Sequence, residues 1–299
     1  MANIEHLTKL KQGAASWLDW LSMHQQLEIE LSNANLRGAN LTEVHLVKAY
    51  LVSSDLTGAN LSNANLTGAN LATAELNDAN LAGANLSGVN LQSAQLIDAD
   101  FGRANLIGSD LRSVMGRGTN FCQANLIGTS IREARLPLAN FTQAKLNRAN
   151  LSETDLVKAS FDLADLSGAN FFEAELQSAS FYQANLHQVK AIATHLSHSY
   201  FLGSNLVEAS LLGCDFRWAN LSYANFQSAD LQQAKLRGAN LTRANLTRAN
   251  LVGADLRGAN LTNANLTGAD LTDADLEDTI FDKVKLTETI MPHGKKHYA

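Results

Sequence analysis

The 299-residue chain carries 23 Lys and Arg residues against 29 Asp and Glu residues, which gives a formal charge of −6. So modest an acidic excess does not indicate a nucleic-acid-binding protein, and it falls short of the strong acidity of a protein that mimics DNA. The chain has only two prolines and no linker-like stretch, which favours one continuous architecture over several domains.

A helix is predicted at the N-terminus, over residues 3–27. Apolar residues recur there at steps that place them on one helical face: Ile4, Leu7, Ala14, Trp17, Leu18 and Leu21. Gly13 is a candidate break between two shorter helices. We expect residues 1–28 to form a helical cap, with Trp17 and Trp20 plugging the end of the repeat structure that follows.

From Leu31 to Met291, every fifth residue is a central position that is almost always large and apolar. Of the 53 central positions, 39 are Leu and ten are Phe, and the residue two places earlier is Ala in 36 cases. A period of five fits neither a helix nor an alternating strand. It is typical of a chain that turns a corner every five residues, with Asn, Asp, Ser, Thr and Gly at the turns. The sequence therefore predicts an all-β solenoid over residues 29–291 and a short tail over residues 292–299.

The phenylalanines indicate how many five-residue units make one coil. Seven of the ten central Phe residues are separated by multiples of 20: Phe101, Phe121, Phe141, Phe161, Phe181, Phe201 and Phe281. Identical rings stack well directly above one another, which favours a square coil of four units. The repeats would then form about 13 coils and a rod roughly 60 Å long at ordinary strand spacing. Gly116 and Ala191 interrupt the pattern, and we expect local narrowing or a bulge there.

The unit Ala-Asn/Asp-Leu-x-x, as in residues 59–63, resembles the repeat of the pentapeptide repeat proteins. The resemblance extends over about 260 residues and implies a right-handed quadrilateral β-helix. Residues 6–13, followed by Trp17 and Trp20, are similar to an N-terminal segment of cyanobacterial members. Residues 289–294 resemble a frequent terminus of those members, although His293 stands where Asp is more usual.

The cellular compartment is predicted from the absence of signal-peptide and membrane-spanning patterns in the sequence. Residues 4–12 are polar and charged rather than the apolar core of a signal peptide, and no apolar run approaches the length of a membrane span. Cys122 and Cys214 would lie about five coils apart, too far for a disulfide bond. We therefore expect a cytoplasmic protein with reduced thiols.

No catalytic motif stands out in the chain. It has no phosphate-binding loop, no Gly-x-Ser-x-Gly and no Cys-x-x-Cys. Asp and Asn interchange before the central residue, which favours a turn-forming role over acid–base chemistry. The spacing of His195 and His198 suits two metal ligands, but both should point outward without a third ligand, so solvated surface histidines are expected. The prediction is a protein that is not an enzyme and has no cofactor or metal.

Outward-pointing apolar residues mark a candidate partner surface between residues 172 and 223. Its members occupy several columns of residues 20 apart: Phe172, Ile192 and Leu212 in one, Tyr182 and Leu202 in another, and Trp218 and Tyr223 nearby. Exposed apolar rows often mark a protein-binding site. The alternative is that the stacked side chains simply cover one another.

These patterns favour a non-enzymatic protein–protein interaction scaffold, and the family resemblance implies a regulatory role like that of relatives in heterocyst differentiation. Two alternatives stay open: a DNA-mimicking binder of DNA gyrase, as members of the quinolone-resistance branch imply, and a purely structural rod. A ladder of Arg217, Arg237 and Arg257 weakens the DNA-mimic alternative. The expected partner is another protein, with no nucleic acid or membrane involved. The chain itself would be a monomer, or a weak dimer if the tail leaves the C-terminal coil uncovered.

Overall fold

The computed structural model describes residues 2–24 and 28–296. The chain divides into two compact units, Met1–Asn150 and Leu151–Ala299, and each is described by itself. The first unit begins with helix α1, Ile4–Leu10, and helix α2, Ala14–Ser22. In both units the remainder consists of successive five-residue turns, and each repeat contributes one β-bridged residue rather than a long strand. Within the described ranges, neither helix has the length and apolar character needed to cross a bilayer.

The β-bridges establish the size of one coil. Each bridge between coils is parallel and joins residues 20 apart, as in Asn60 with Asn80 in the first unit and Asn205 with Asn225 in the second. A coil therefore contains four repeats, as the spacing of phenylalanine predicted. The total of about 13 coils, and the boundaries at residues 28 and 291, stay predictions.

In a typical inner repeat, backbone hydrogen bonds join the coil to its neighbours at three places. The N–H of Leu61 donates to the carbonyl of Asn80 at 2.7 Å, and the N–H of Asn63 donates to the carbonyl of Ala82 at 2.9 Å. The N–H of Asn65 donates in the opposite direction, to a carbonyl of the preceding coil at 2.8 Å. The walls are thus built from main-chain pairing, which explains why the outward side chains vary so freely.

The other two N–H groups of the repeat form hydrogen bonds within the turn. The N–H of Ala64 donates to the carbonyl of Leu61 at 3.0 Å, and Asn63 has a φ of +55°, as a type II turn requires. The N–H of Ser62 donates to the side-chain oxygen of Asn60 at 3.1 Å. Asp accepts this bond as well as Asn does, so their interchange before the central residue follows from turn chemistry.

The phenylalanine columns form stacks inside both units. In the first unit, adjacent ring centroids lie 5.2 and 4.9 Å apart, and in the second unit they lie 5.0 and 4.5 Å apart. The stacked rings are Phe101, Phe121 and Phe141 in the first unit, and Phe161, Phe181 and Phe201 in the second. All six are fully buried, so each column fills the coil interior with ring surface.

The N-terminal helices cover the first coil, but not with the whole face that their periodicity predicted. Trp17 is fully buried, stacks on Trp20 at 5.2 Å, and donates from its indole nitrogen to a carbonyl of the first coil at 2.7 Å. The prediction was wrong for Ile4 and Leu18, which are 82% and 48% exposed. Gly13, with a φ of +102°, reorients the chain between α1 and α2, so one helical period cannot describe both. Residues 25–27 of the predicted helix lie outside the described residues.

The two irregular central positions do not leave large voids. A side chain on Gly116 would meet the hydroxyl of Thr119, as well as Leu96 and Leu136, each 3.0 Å from its Cβ. Around Ala191 the cavity is about 10 Å³, too small and too apolar to hold an ordered water. Neighbouring side chains have therefore filled the space that a leucine would occupy.

The C-terminal coil is covered less well than the first. Central residues up to Leu271 are buried, whereas the last four are half-exposed: Leu276, Phe281, Leu286 and Met291. The described part of the tail turns back on itself, and Lys296 pairs antiparallel with Ile290. The tail thus lies beside the last coil and leaves its apolar residues in partial contact with solvent.

Candidate protein-binding surface

The seven residues predicted as a partner surface all lie in the second unit, whose coils have four flat sides separated by four turns. Two of these turns need names. Turn A consists of residues 162–163, 182–183, 202–203, 222–223 and 242–243, and turn B of residues 157–158, 177–178, 197–198, 217–218, 237–238 and 257–258. We call these two turns and the flat side between them the aromatic side.

The aromatic side carries most of the exposed large apolar surface of the second unit. Four of its residues are exposed, at 45%, 36%, 58% and 51%: Leu163, Tyr200, Trp218 and Tyr223. Tyr182 and Leu202, in turn A, are half-buried beside them. The structure thus brings together four predicted residues, and it adds Leu163 and Tyr200 to them.

Tyr200 is a member that the periodicity did not single out. It occupies the bridged position, where most repeats carry Asn or Asp, so its ring points outward from the flat side. Its centroid lies 6.5 Å from that of Tyr182, which is 18 residues earlier in the chain. The signal available in the sequence was the replacement of a turn-forming Asn by a large aromatic residue.

Three of these side chains also sit on strained backbone. Leu163, Trp218 and Tyr223 have φ values of +59°, +61° and +59°, and they occupy a turn position that is Gly in 15 of the 52 repeats between residues 33 and 288. The left-handed conformation costs a residue with a Cβ roughly 1–2 kcal/mol. Among the described repeats, only one other large apolar residue, Leu138, occupies this position. Strain of this kind is often retained where a side chain has a function.

The remaining predicted residues occupy the turn diagonally opposite turn A. Phe172 is exposed, at 38%, whereas Ile192 and Leu212 are half-buried. This arrangement matches the alternative in which stacked apolar residues cover one another. The seven predicted residues therefore form two separate surfaces, of which the aromatic side is the larger.

Arginines line turn B, but they are not equivalent. Arg217 and Arg257 each donate a hydrogen bond from Nε to the carboxylate of the Asp two residues earlier, at 2.8 Å in both cases. Two residues before Arg237, however, the chain carries Lys235 instead of an Asp. Within the part of the chain that the structure describes, Arg237 makes no ion pair. The exposed Arg237 side chain lines the same groove as Trp218, and after Arg257 it helps to lower the pKa of the Asp255 carboxylate.

The Asp215 carboxylate is the best-buried partner in these pairs, with 9% of its side chain exposed. Partial burial alone would raise its pKa, but the hydrogen bonds from Arg217 outweigh that effect and hold the pKa below its usual range. Lys235, in the next coil, acts in the same direction. The ion pair with Asp215 therefore offsets much of the charge of Arg217.

The described histidines and cysteines show no arrangement that would bind a metal. His195 Nδ1 lies 2.8 Å from the carboxylate of Glu175, and His187 Nδ1 lies 3.1 Å from the carbonyl of Val207. Across residues 2–24 and 28–296, no three His, Cys, Asp or Glu side chains converge as metal ligands. Cys122 and Cys214 are free thiols, and burial raises the pKa of Cys214 to about 12. Its thiol is therefore protonated and structural.

Several solved structures are similar to this chain. HetL, a pentapeptide repeat protein involved in heterocyst differentiation regulation from the cyanobacterium Nostoc sp. strain PCC 7120, is 34% identical over 70% of this chain and 92% of its own, with a TM-score of 0.41. A trypsin-treated form of QnrB1, a plasmid-mediated fluoroquinolone resistance protein, is 22% identical over 60% of this chain and 92% of its own, with a TM-score of 0.39. Rfr23, from the cyanobacterium Cyanothece 51142, is 31% identical over 38% of this chain and 63% of its own, with a TM-score of 0.19. No curated protein sequence matches the chain.

The repeat region itself settles the family. Eight overlapping or adjoining segments match the pentapeptide repeats, and together they extend almost without a gap from residue 30 to residue 291: residues 30–72, 74–112, 117–143, 138–171, 149–188, 184–222, 224–263 and 254–291. This match agrees with the 20-residue coil, the type II turns and the two short N-terminal helices. The chain therefore belongs to the pentapeptide repeat family, and its fold is the right-handed β-helix of that family.

Proposed function

We propose that this protein is a non-enzymatic scaffold that binds another protein through the aromatic side. The observation that carries the proposal is the group of exposed apolar residues there, of which Trp218 is the most exposed, at 58%. Tyr and Trp are the side chains that contribute most energy at protein interfaces, because each buries a large rigid surface at a small entropic cost. Members of this family are generally structural or binding proteins, which supports the same view.

The alternatives have less support from the geometry. A DNA mimic that binds gyrase would need a strongly acidic surface, whereas the aromatic side presents Arg237 and the neighbouring arginines. A purely structural rod has no need of exposed aromatic residues on strained turns. Regulation of heterocyst differentiation and a cytoplasmic location stay predictions from the family resemblance and from the sequence.

Affinity purification from the source organism tests the proposal. The tagged wild-type protein is compared with a variant carrying Tyr200→Ser, Trp218→Ser and Tyr223→Ser, whose fold is checked by circular dichroism. We expect one or more proteins to be captured by the wild type and lost with the variant. Equal capture by both proteins would place the interface elsewhere, and capture of nothing would favour the structural rod.

We also propose that the C-terminal coil pairs weakly with a second copy of the chain. The support is the half-exposure of its central residues, among them Phe281 and Met291, which full pairing of two ends would bury. Sedimentation velocity across micromolar to submillimolar concentrations should show a reversible shift from monomer to dimer. Phe281→Asp should abolish the shift, and a wild-type protein that stays monomeric throughout would refute the pairing.

A further inference from the structure

We infer that the aromatic side takes an acidic segment of the partner protein, one with Asp or Glu beside an apolar or aromatic side chain. This inference rests on the proposed function, since it names the chemistry of the partner at that site. It is carried by the distribution of charge around the exposed rings.

The aromatic side is basic although the whole chain is acidic. Turn B carries Lys158, Arg217 and Arg237, and turn A carries Arg243; of these four, Arg217 is paired with Asp215. The only carboxylate in the corresponding stretch of turn A is Asp162. That carboxylate is already engaged by the hydroxyl of Ser180 and by the N–H of Tyr182 at 3.0 Å. A ligand on this side therefore meets mainly positive charge.

Two of the cations are placed where they could bind a carboxylate of the partner beside an exposed aromatic ring of this chain. Arg243 lies over the ring of Tyr223, with its guanidinium carbon 5.3 Å from the centroid, and it donates to the phenolic hydroxyl. A guanidinium held in this way loses little freedom when it binds a carboxylate. Arg237 stands one coil beyond Trp218 and has no ion-pair partner among the described residues. Both guanidinium groups can donate two hydrogen bonds to a carboxylate while an apolar group of the partner covers the ring.

A groove beside Trp218 provides the room for such a segment. It has a volume of about 380 Å³ and is lined by Trp218, Arg237, Gly238, Arg257 and Gly258 at turn B, with Glu277 and Asp278 at its far end. The ring of Trp218 covers Gly238, whereas Gly258 has open space beside its Cα, so a peptide backbone can approach the groove floor closely at Gly258. The acidic far end would repel an acidic chain, which limits the segment to the part near Trp218.

A protein segment fits this surface better than a nucleic-acid strand. The flat side next to turn B carries Glu175, Asp215 and Asp255, and phosphates running beyond the aromatic side would compete there with carboxylates for Arg217 and Arg257. A short acidic segment can end before it reaches them. Favourable charge on the aromatic side alone would then also speed the encounter of the two proteins.

Selection from a display library of random 15-residue peptides tests the inference. The expected result is enrichment of peptides with two or more Asp or Glu residues around an aromatic or aliphatic residue. Binding of an enriched peptide should weaken about tenfold or more with Trp218→Ala and with Arg237→Glu. Arg148→Glu, an equally exposed arginine in the first unit, serves as the control and should leave the binding unchanged.

Charge reversal gives the sharpest readout. The same peptide with Glu replaced by Lys should bind the Arg237→Glu variant more tightly than it binds the wild type. If the Arg237→Glu variant fails to fold, the Arg237→Gln variant takes its place. Enrichment of neutral or basic peptides, no effect of the Trp218 and Arg237 changes, or tighter binding of a dT20 oligonucleotide than of the acidic peptide would overturn the inference. If a cellular partner still depends on the aromatic side in any of these cases, the proposed function stands and only the acidic segment is wrong.

Discussion

The ring of Trp218 lies against the Cα of Gly238, one coil further along the same turn. A Cβ atom added to Gly238 would fall within 3.0 Å of three ring carbons of Trp218, two of them far closer than van der Waals contact allows. The glycine thus lets the indole lie flat along turn B, with one face on the turn and the other towards solvent. Any larger residue at this position would push the most exposed aromatic ring of the second unit out of its place.

Gly238→Ala should therefore change the environment of Trp218 as well as strain the turn, since Gly238 has a φ of +66°. Gly258→Ala is the matched control, because Gly258 has a φ of +62° and nothing within 4 Å of an added Cβ. Both variants should lose roughly 1 kcal/mol of unfolding free energy. Only Gly238→Ala should alter the accessibility of an exposed tryptophan to acrylamide quenching, and identical quenching of both variants would contradict the packing of Trp218 on Gly238.

The phenylalanine column should contribute strongly to the stability of the second unit. Phe181 is buried between two stacked rings, with centroids 5.0 and 4.5 Å away. Phe181→Ala should cost about 3–5 kcal/mol, because it removes the ring and leaves a cavity between rigid coils. Phe181→Leu should cost much less, because leucine is the ordinary residue at central positions. Urea unfolding measures both, and equal midpoints for the two variants would show that the stack has no special role.

Ala191 should resist replacement by the leucine that the repeat would otherwise carry there. The cavity beside it is about 10 Å³, so the extra carbons of Ala191→Leu have no space, and overpacking should cost about 1–3 kcal/mol. Phe171, a fully buried ring lining the same cavity, is the residue to reduce in compensation. Adding Phe171→Leu to Ala191→Leu should recover part of the loss in urea unfolding. A single Ala191→Leu variant as stable as the wild type would refute this explanation of the irregular repeat.

The Asp215–Arg217 pair should give a pH-dependent contribution to stability. Because the folded protein holds the pKa of Asp215 below its unfolded value of about 3.9, the contribution is present above that value and is lost as the pH falls through the lower folded pKa. Asp215→Asn should therefore be less stable than the wild type at pH 7, with a difference that shrinks below pH of about 4.

A double-mutant cycle isolates the pair. In an Arg217→Met background, Asp215→Asn should change the unfolding free energy less than it does in the wild type, because the main partner is already absent. Equal effects in both backgrounds, or a difference that grows as the pH falls, would show that Arg217 does not set the behaviour of Asp215.

Much of the fold could be predicted because each repeat satisfies its own hydrogen bonds in the same way. The 20-residue step of Phe161, Phe181 and Phe201 identified the coil size, since only residues in one column can stack. The buried face of the helical cap was harder to predict, because Ile4 and Leu18 follow a helical period that Gly13 interrupts. A local pattern does not reveal how two short helices rotate relative to each other.

The candidate surface could be predicted only in part, because exposure depends on neighbours in adjacent coils. Ile192 and Leu212 look as exposed as Phe172 in the sequence, but within the column they are half-buried. The contact of Tyr200 with Tyr182 was not predicted, because it spans 18 residues and joins a flat side to a turn. Such diagonal contacts do not appear when residues are compared at the exact repeat spacing.

The most direct test of the account is the affinity of a captured partner for single-site variants of the purified protein. Titration calorimetry would compare the wild type with Trp218→Ala on the aromatic side and Phe172→Ala on the diagonally opposite turn. The account predicts a loss of about tenfold or more for Trp218→Ala and almost none for Phe172→Ala, because only the first removes a ring at the centre of the interface. The reverse order, or equal affinities for all three proteins, would contradict it.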